Sequence, residues 1–221
     1  MSGEDARLCL RLGIRHLGFV VEYPESVPWN LPRKKAGELL RLVEADARAL
    51  AGGEKVETYV VCGGRTEEIL RMARHLKPAA IQIHHREEAG EVARIAETLL
   101  REGIKTYRAV SPETPEEELA ALCAMTALEG LVADSRTPET AAVHGRRLDA
   151  GFYASLRARF PRAIFLGGGI TPENVREILV ATRAGALDIL TGVEAAPGRK
   201  DEARLRRLLD EIRGKQPEGA G

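Results

Sequence analysis

Ala163-Ile164-Phe165-Leu166-Gly167-Gly168-Gly169-Ile170-Thr171-Pro172-Glu173-Asn174-Val175 runs from four apolar residues through three glycines into a helix start. The apolar run reads as a strand buried on both faces. Thr171 has the chemistry of an N-cap, and Pro172 suits the first helical position, where its missing N–H costs nothing. Strand, tight turn and helix together make one βα unit.

Working outward, the same alternation recurs along the chain. Short apolar runs at 16–21, 57–62, 79–84, 104–110, 130–134 and 187–191 join 163–167 as strand candidates. Stretches at 33–50, 67–76, 88–102, 114–124, 172–180 and 200–213 carry helical periodicity between them. In the third of these, Val92, Ile95, Ala96, Leu99 and Leu100 repeat at the spacing of a one-sided helix. Thr114, Pro115 and Glu117 write a second helix start, with a capping box. Repeated strand–helix units predict parallel strands with crossover helices, and this many of them predict an α/β fold of (β/α)8 TIM-barrel type. The expected organisation is one barrel domain over 1–213 and a loose tail over 214–221. Seven strands are legible. The chain opens on a helix start, with Ser2 as cap and Glu4 and Asp5 in the first turn, so the first strand of an eightfold repeat is missing.

Composition narrows the functional classes. The 221 residues hold 33 Lys+Arg and 33 Asp+Glu, so no basic excess speaks for a nucleic-acid partner. No apolar run approaches the roughly 20 residues that span a bilayer. Met1-Ser2-Gly3-Glu4-Asp5 lacks the basic-then-apolar pattern of a secretory leader. Cys9, Cys62 and Cys123 are too scattered for a disulfide framework or a zinc knuckle. A cytoplasmic protein with neither nucleic-acid nor membrane partner is expected.

Several residues have functional alternatives to a structural role. Gly167, Gly168 and Gly169 either form an anion site, with free amides at a strand-to-helix turn, or simply satisfy a tight turn. Thr191-Gly192 closes the next strand in a similar way, and two adjacent glycine turns at the last strands of a barrel suit phosphate binding. Asp134 ends the run Gly130-Leu131-Val132-Ala133; it reads as a functional acid or base, or else as a cap or as an ion-pair partner of Arg136. Gln82 and His84 alternate with Ile81 and Ile83, so both point to one face, toward a ligand or a core hydrogen bond. Cys62 ends a strand before Gly63-Gly64, as a base or nucleophile or as an inert buried thiol.

Leu17-Gly18-Phe19-Val20, Ala80-Ile81-Gln82-Ile83-His84, the Asp134 strand, 167–175 and 191–201 follow one another in an order and spacing that resemble the phosphoribosylanthranilate isomerase family of tryptophan biosynthesis. The resemblance spans about residues 4–213. It implies a ribulose-phosphate-binding barrel and an Amadori rearrangement of N-(5-phosphoribosyl)anthranilate to a 1-deoxyribulose 5-phosphate. The substrate would be a phosphorylated small molecule, and neither cofactor nor metal would be required. It further implies that Asp134 is the general acid at the furanose ring oxygen. The glycine turns, with Gly167, Gly168, Gly169, Thr191 and Gly192, would hold the 5′-phosphate.

The chain departs from the family pattern at three places. The first strand, with the family's general-base cysteine, has no counterpart, which leaves Cys62 or His16 as substitutes. Trp29 falls where the family has a carboxylate-binding arginine, and Arg33 is the nearest replacement. The glycine-rich loop after the aspartate reads Ala141-Ala142-Val143-His144-Gly145, with one glycine. A sugar-phosphate enzyme with another substrate, or a non-catalytic binder, are the alternatives. A barrel lacking a strand has two open edges, which a homodimer would cover.

Overall fold

The computed structural model describes residues 1–49, 55–135 and 149–214. Six strands, β1 (His16–Val20), β2 (Glu57–Cys62), β3 (Ala80–Ile83), β4 (Lys105–Val110), β5 (Gly130–Ala133) and β6 (Ala163–Leu166), pair in chain order, all parallel. Among the described residues eight α-helices accompany them: α1 (Gly3–Arg11), α2 (Arg33–Arg48), α3 (Thr66–Leu76), α4 (Ala89–Arg101), α5 (Glu116–Ala124), α6 (Ala150–Arg159), α7 (Val175–Thr182) and α8 (Glu202–Arg213).

Alternation along the strands sorts side chains into two apolar layers. Leu17, Phe19, Val60, Cys62, Ile81 and Ile83 point outward, into the main core beneath the helices. Tyr59, Ala80, Tyr107 and Val132 point inward and, with Phe165, fill the barrel's interior. The Tyr107 and Phe165 rings meet at 5.3 Å and those of Tyr59 and Tyr107 at 5.6 Å. Gly130 makes room for this plug, because a Cβ there would lie 2.4 Å from the Tyr107 ring. Gly130→Ala is therefore expected to destabilise the fold by about 1–3 kcal/mol, the usual cost of overpacking, read from the midpoint of urea unfolding. An unchanged midpoint would mean that the ring moves aside freely.

Several expected elements change in the structure. The run 187–191 is not a strand: Leu187 makes one parallel bridge to Leu166 and Asp188 N donates to Leu166 O at 2.8 Å. The chain then turns through a 3-10 helix, Thr191–Val193, into an antiparallel hairpin of β7 (Glu194–Ala196) and β8 (Arg199–Lys200). Helix α7 starts at Val175 rather than Pro172, because the Asn174 side chain takes the Thr171 N–H (2.9 Å) and donates to Gly169 O (2.8 Å), locking the preceding residues in a turn. Thr114 does not cap α5; its Oγ1 accepts from Ser111 N instead. Helix α8 begins at Glu202, capped by Asp201, and α6, capped by Asp149, lies where no helix was expected. Ser2 caps α1 as read, and a capping box completes it, Ser2 Oγ accepting from Asp5 N while the Asp5 carboxylate accepts from Ser2 N. Leu50, Arg136, 141–145 and 215–221 lie outside the described residues.

Between β1 and the Leu187 segment the sheet has a seam. An apolar cavity of about 320 Å³ runs along it, walled by Leu205, Leu208, Leu209 and Ile212 of α8 and opening toward Gln82, His84 and Asp188. No helix among the described residues is long and apolar enough to cross a membrane.

Candidate active site

The C-terminal ends of the parallel strands converge at the mouth, where barrels of this type carry their chemistry. Register puts three residues in one row there. Ala133 pairs with Leu166 and Leu166 bridges Leu187, so the residues that follow, Asp134, Gly167 and Asp188, stand side by side. Asp134 is fully buried. It is in phase with the inward-facing Val132, and its Oδ2 lies 3.7 Å from His84 Nε2. Gly167 presents no side chain, and a Cβ there would sit 3.4 Å from Asp134 Oδ2. Asp188 lines the cavity and accepts from Gln82 Nε2 at 3.4 Å.

The segment carrying His84 is firmly fixed. Tyr23 donates its hydroxyl to His84 O at 2.7 Å. Arg108, a buried residue of β4, donates to His85 O (2.8 Å) and Glu87 O (3.1 Å) and pairs with the carboxylates of Glu87 and Glu118. Glu87 in turn accepts from Gly64 N, which ties the loops after β2 and β3 together.

Beside the row, the two glycine turns meet. Gly168 and Gly169 have φ of +89° and +61°, a conformation that glycine adopts without strain. No hydrogen bond among the described residues uses either amide. Gly192, opening the hairpin segment, packs so closely that a Cβ would fall 1.8 Å from Ile170 O. Amides with no hydrogen-bond partner among the described residues, at adjacent turns above a barrel, are suited to a phosphate. The farther wall holds a buried ion pair: Lys200 Nζ lies 3.3 Å from Glu194 Oε1 and donates to Leu190 O, while Trp29 Nε1 donates to Glu194 Oε2 at 2.9 Å. Among the described residues no group of three or more His, Cys, Asp or Glu side chains is placed to hold a metal ion.

The sequence model of N-(5′-phosphoribosyl)anthranilate (PRA) isomerase matches residues 46–211. The chain belongs to the phosphoribosylanthranilate isomerase family. The Paracoccus denitrificans isomerase is 31% identical over 198 residues, covering 89% of this chain and 86% of that protein. The Chromohalobacter salexigens isomerase is 30% identical over 214 residues, covering 95% and 89%. Among solved structures, the Thermotoga maritima isomerase matches with a TM-score of 0.75 at 27% identity, covering 97% of this chain and 95% of that one. A phosphoribosylanthranilate isomerase in complex with reduced 1-(O-carboxyphenylamino)-1-deoxyribulose 5-phosphate matches with a TM-score of 0.72 at 26% identity, covering 96% and 94%. The fold is accordingly a TIM-type barrel and the activity that of an isomerase of tryptophan biosynthesis.

Of the residues singled out in the sequence, the isomerase fold brings together Asp134, Gln82, His84, Gly167, Gly168, Gly169, Thr191 and Gly192. It does not bring Cys62 or Arg33 to them. Cys62 is in phase with Val60, so its thiol points into the strand–helix core, where burial, and secondarily the Glu87 carboxylate, push its pKa up. Arg33, the first residue of α2, is paired with Glu22, with Nη2 2.5 Å from Oε2, and does not line the cavity. His16 lines the far, N-terminal end of the cavity and contacts Tyr59 OH at 3.0 Å, away from Asp134. Cys62→Ala is thus expected to leave turnover within about twofold, and native Cys62 to resist alkylation far longer than the half-buried Cys123. A Cys62→Ala enzyme without turnover would return the thiol to the chemistry. Asp188, Lys200 and Trp29 were missed as site residues. For Asp188 a signal existed, a carboxylate inside the apolar run Leu187–Leu190.

Proposed function

We propose that this chain converts N-(5′-phosphoribosyl)anthranilate into 1-(o-carboxyphenylamino)-1-deoxyribulose 5-phosphate at the barrel mouth, with Asp134 as the general acid. The row Asp134–Gly167–Asp188 beside the two glycine turns carries this reading. A 5′-phosphate held by the Gly168, Gly169 and Gly192 turns would lay the ribose over side-chain-free Gly167, next to Asp134. Asp134 then gives its proton to the ring oxygen as the bond from that oxygen to C1 breaks, leaving the nitrogen conjugated with C1. Gln82 and His84 serve the sugar hydroxyls, and the apolar seam beyond Val20 receives the aryl ring.

Position suits Asp134 to this role: it is buried at the end of β5 beside Gly167, with its Oδ2 3.7 Å from His84 Nε2. The test is the fall in substrate fluorescence when freshly generated phosphoribosylanthranilate meets the chain. Conversion supports the reading. A folded chain that neither converts the substrate nor binds the reduced product analogue overturns it.

The Thermotoga maritima relative is described as dimeric, and the seam beside β1 leaves one sheet edge unpaired among the described residues. A homodimer acting in the cytoplasm is the quaternary reading we adopt, with sedimentation equilibrium as its test.

A further inference from the structure

The rearrangement needs a base at C2 as well as an acid at the ring oxygen, and we infer that Asp188 is that base. The inference rests on the reading above and extends it to the second proton.

Four observations carry it. Asp134 and Asp188 follow residues paired to the same Leu166, so they flank Gly167 from opposite sides. Two strand spacings separate their backbones, about 9–10 Å, which is room for a furanose between two carboxyl groups. Both belong to the inward face, since Asp188 lines the cavity beside Gln82 and His84. Gln82 Nε2 donates to Asp188 Oδ2, which orients the carboxylate.

Four other groups on the cavity wall that could act as bases are worse placed. His16 is at the N-terminal end of β1 against Tyr59, and Lys200 is committed to Glu194 and Leu190 O. Cys9 is a buried thiol on α1 whose pKa burial pushes up. His84 neighbours the acid itself, at 3.7 Å.

The proton balance closes with these two carboxyls. Asp134 protonates the ring oxygen, the C1–O bond breaks, and the nitrogen lone pair forms a C1=N iminium. Asp188 takes the C2 proton; the C2–H electron pair becomes the C1=C2 bond, and the C1=N π pair returns to nitrogen. The resulting enaminol goes to the ketone as C1 receives the proton from Asp188 and the C2 hydroxyl gives its proton to Asp134. Both groups end as they began.

The experiment compares wild type, Asp188→Asn and Asp188→Ala in the fluorescence assay, with the reduced product analogue as a binding probe. Asp188→Asn is expected to lose about 10²–10⁴-fold in kcat while binding the analogue within a few-fold of wild type. Formate is expected to restore part of the Asp188→Ala rate, which a structural role would not allow. Wild-type turnover in Asp188→Asn overturns the assignment and leaves the proposed function standing. Loss of analogue binding in both variants, with no rescue by formate, also overturns it, in favour of a structural role. A wild-type chain with neither turnover nor analogue binding overturns the function and the base together.

Discussion

Asparagine in place of Asp134 is expected to lower turnover by about 10²–10⁴-fold, the usual contribution of a positioned acid, in a chain that stays folded. Asparagine has the same shape and fills the same fully buried site above Val132. It carries no proton of suitable acidity for a leaving ring oxygen. The competing explanation is lost stability, since the change also removes a buried carboxyl that lies 3.7 Å from His84 Nε2. Parallel measurement of kcat and of the thermal midpoint separates the two effects. A variant within tenfold of wild type would remove Asp134 from the mechanism; a collapsed midpoint would make it structural.

Valine at Gly192 is expected to weaken phosphorylated ligands by at least about 100-fold, since each hydrogen bond to a charged group contributes roughly 1.5–3 kcal/mol. The cause is backbone contact. A Cβ would lie 1.8 Å from Ile170 O, 2.8 Å from Ile170 C and 3.2 Å from Thr171 Cα, so the two glycine turns must separate. Main chain cannot swing aside as a flexible side chain does, and separated turns no longer converge on one anion. The same overlap costs stability, by about 1–3 kcal/mol. Titrating the variant with the reduced product analogue and with its dephosphorylated form decides the matter. Selective loss for the phosphorylated form is the expected result, and equal loss for both would mean that the turns do not hold the phosphate.

The barrel was legible because its strands and helices repeat, and the mouth was legible where a polar residue breaks an apolar alternation. Gln82 and His84 sit between isoleucines, so their phase could be read directly. Cys62 shows the limit of that reasoning. In a strand buried on both faces, Thr58-Tyr59-Val60-Val61-Cys62 offers no polar side to mark the interior, and position at the strand's end does not say which way the side chain points. Asp188 was hidden differently. Its neighbours read as an ordinary strand, whereas only Leu187 bridges, and its importance comes from a row set by Leu166, 22 residues earlier in the chain. Helix α6 escaped notice because only Tyr153 and Leu156 of its ten residues are buried, too few to leave a stripe. At α7, proline and threonine did suit a helix start, but the Asn174 side chain competed for the same amide and won a turn instead.

The seam beside β1 separates two tasks that most barrels combine. Around the rest of the sheet, backbone ladders fix the spacing of neighbouring strands and the position of each catalytic group. Across the seam no backbone ladder spans the gap among the described residues, and four aliphatic side chains of α8 line it. On the proposed reading, a change of size at Leu205, Leu208, Leu209 or Ile212 resizes the recess offered to the aryl group while the paired rows that carry Asp134 and Gly167 stay in place. Selection can retune which amine the sugar phosphate carries while the proton-transfer machinery stays as it is.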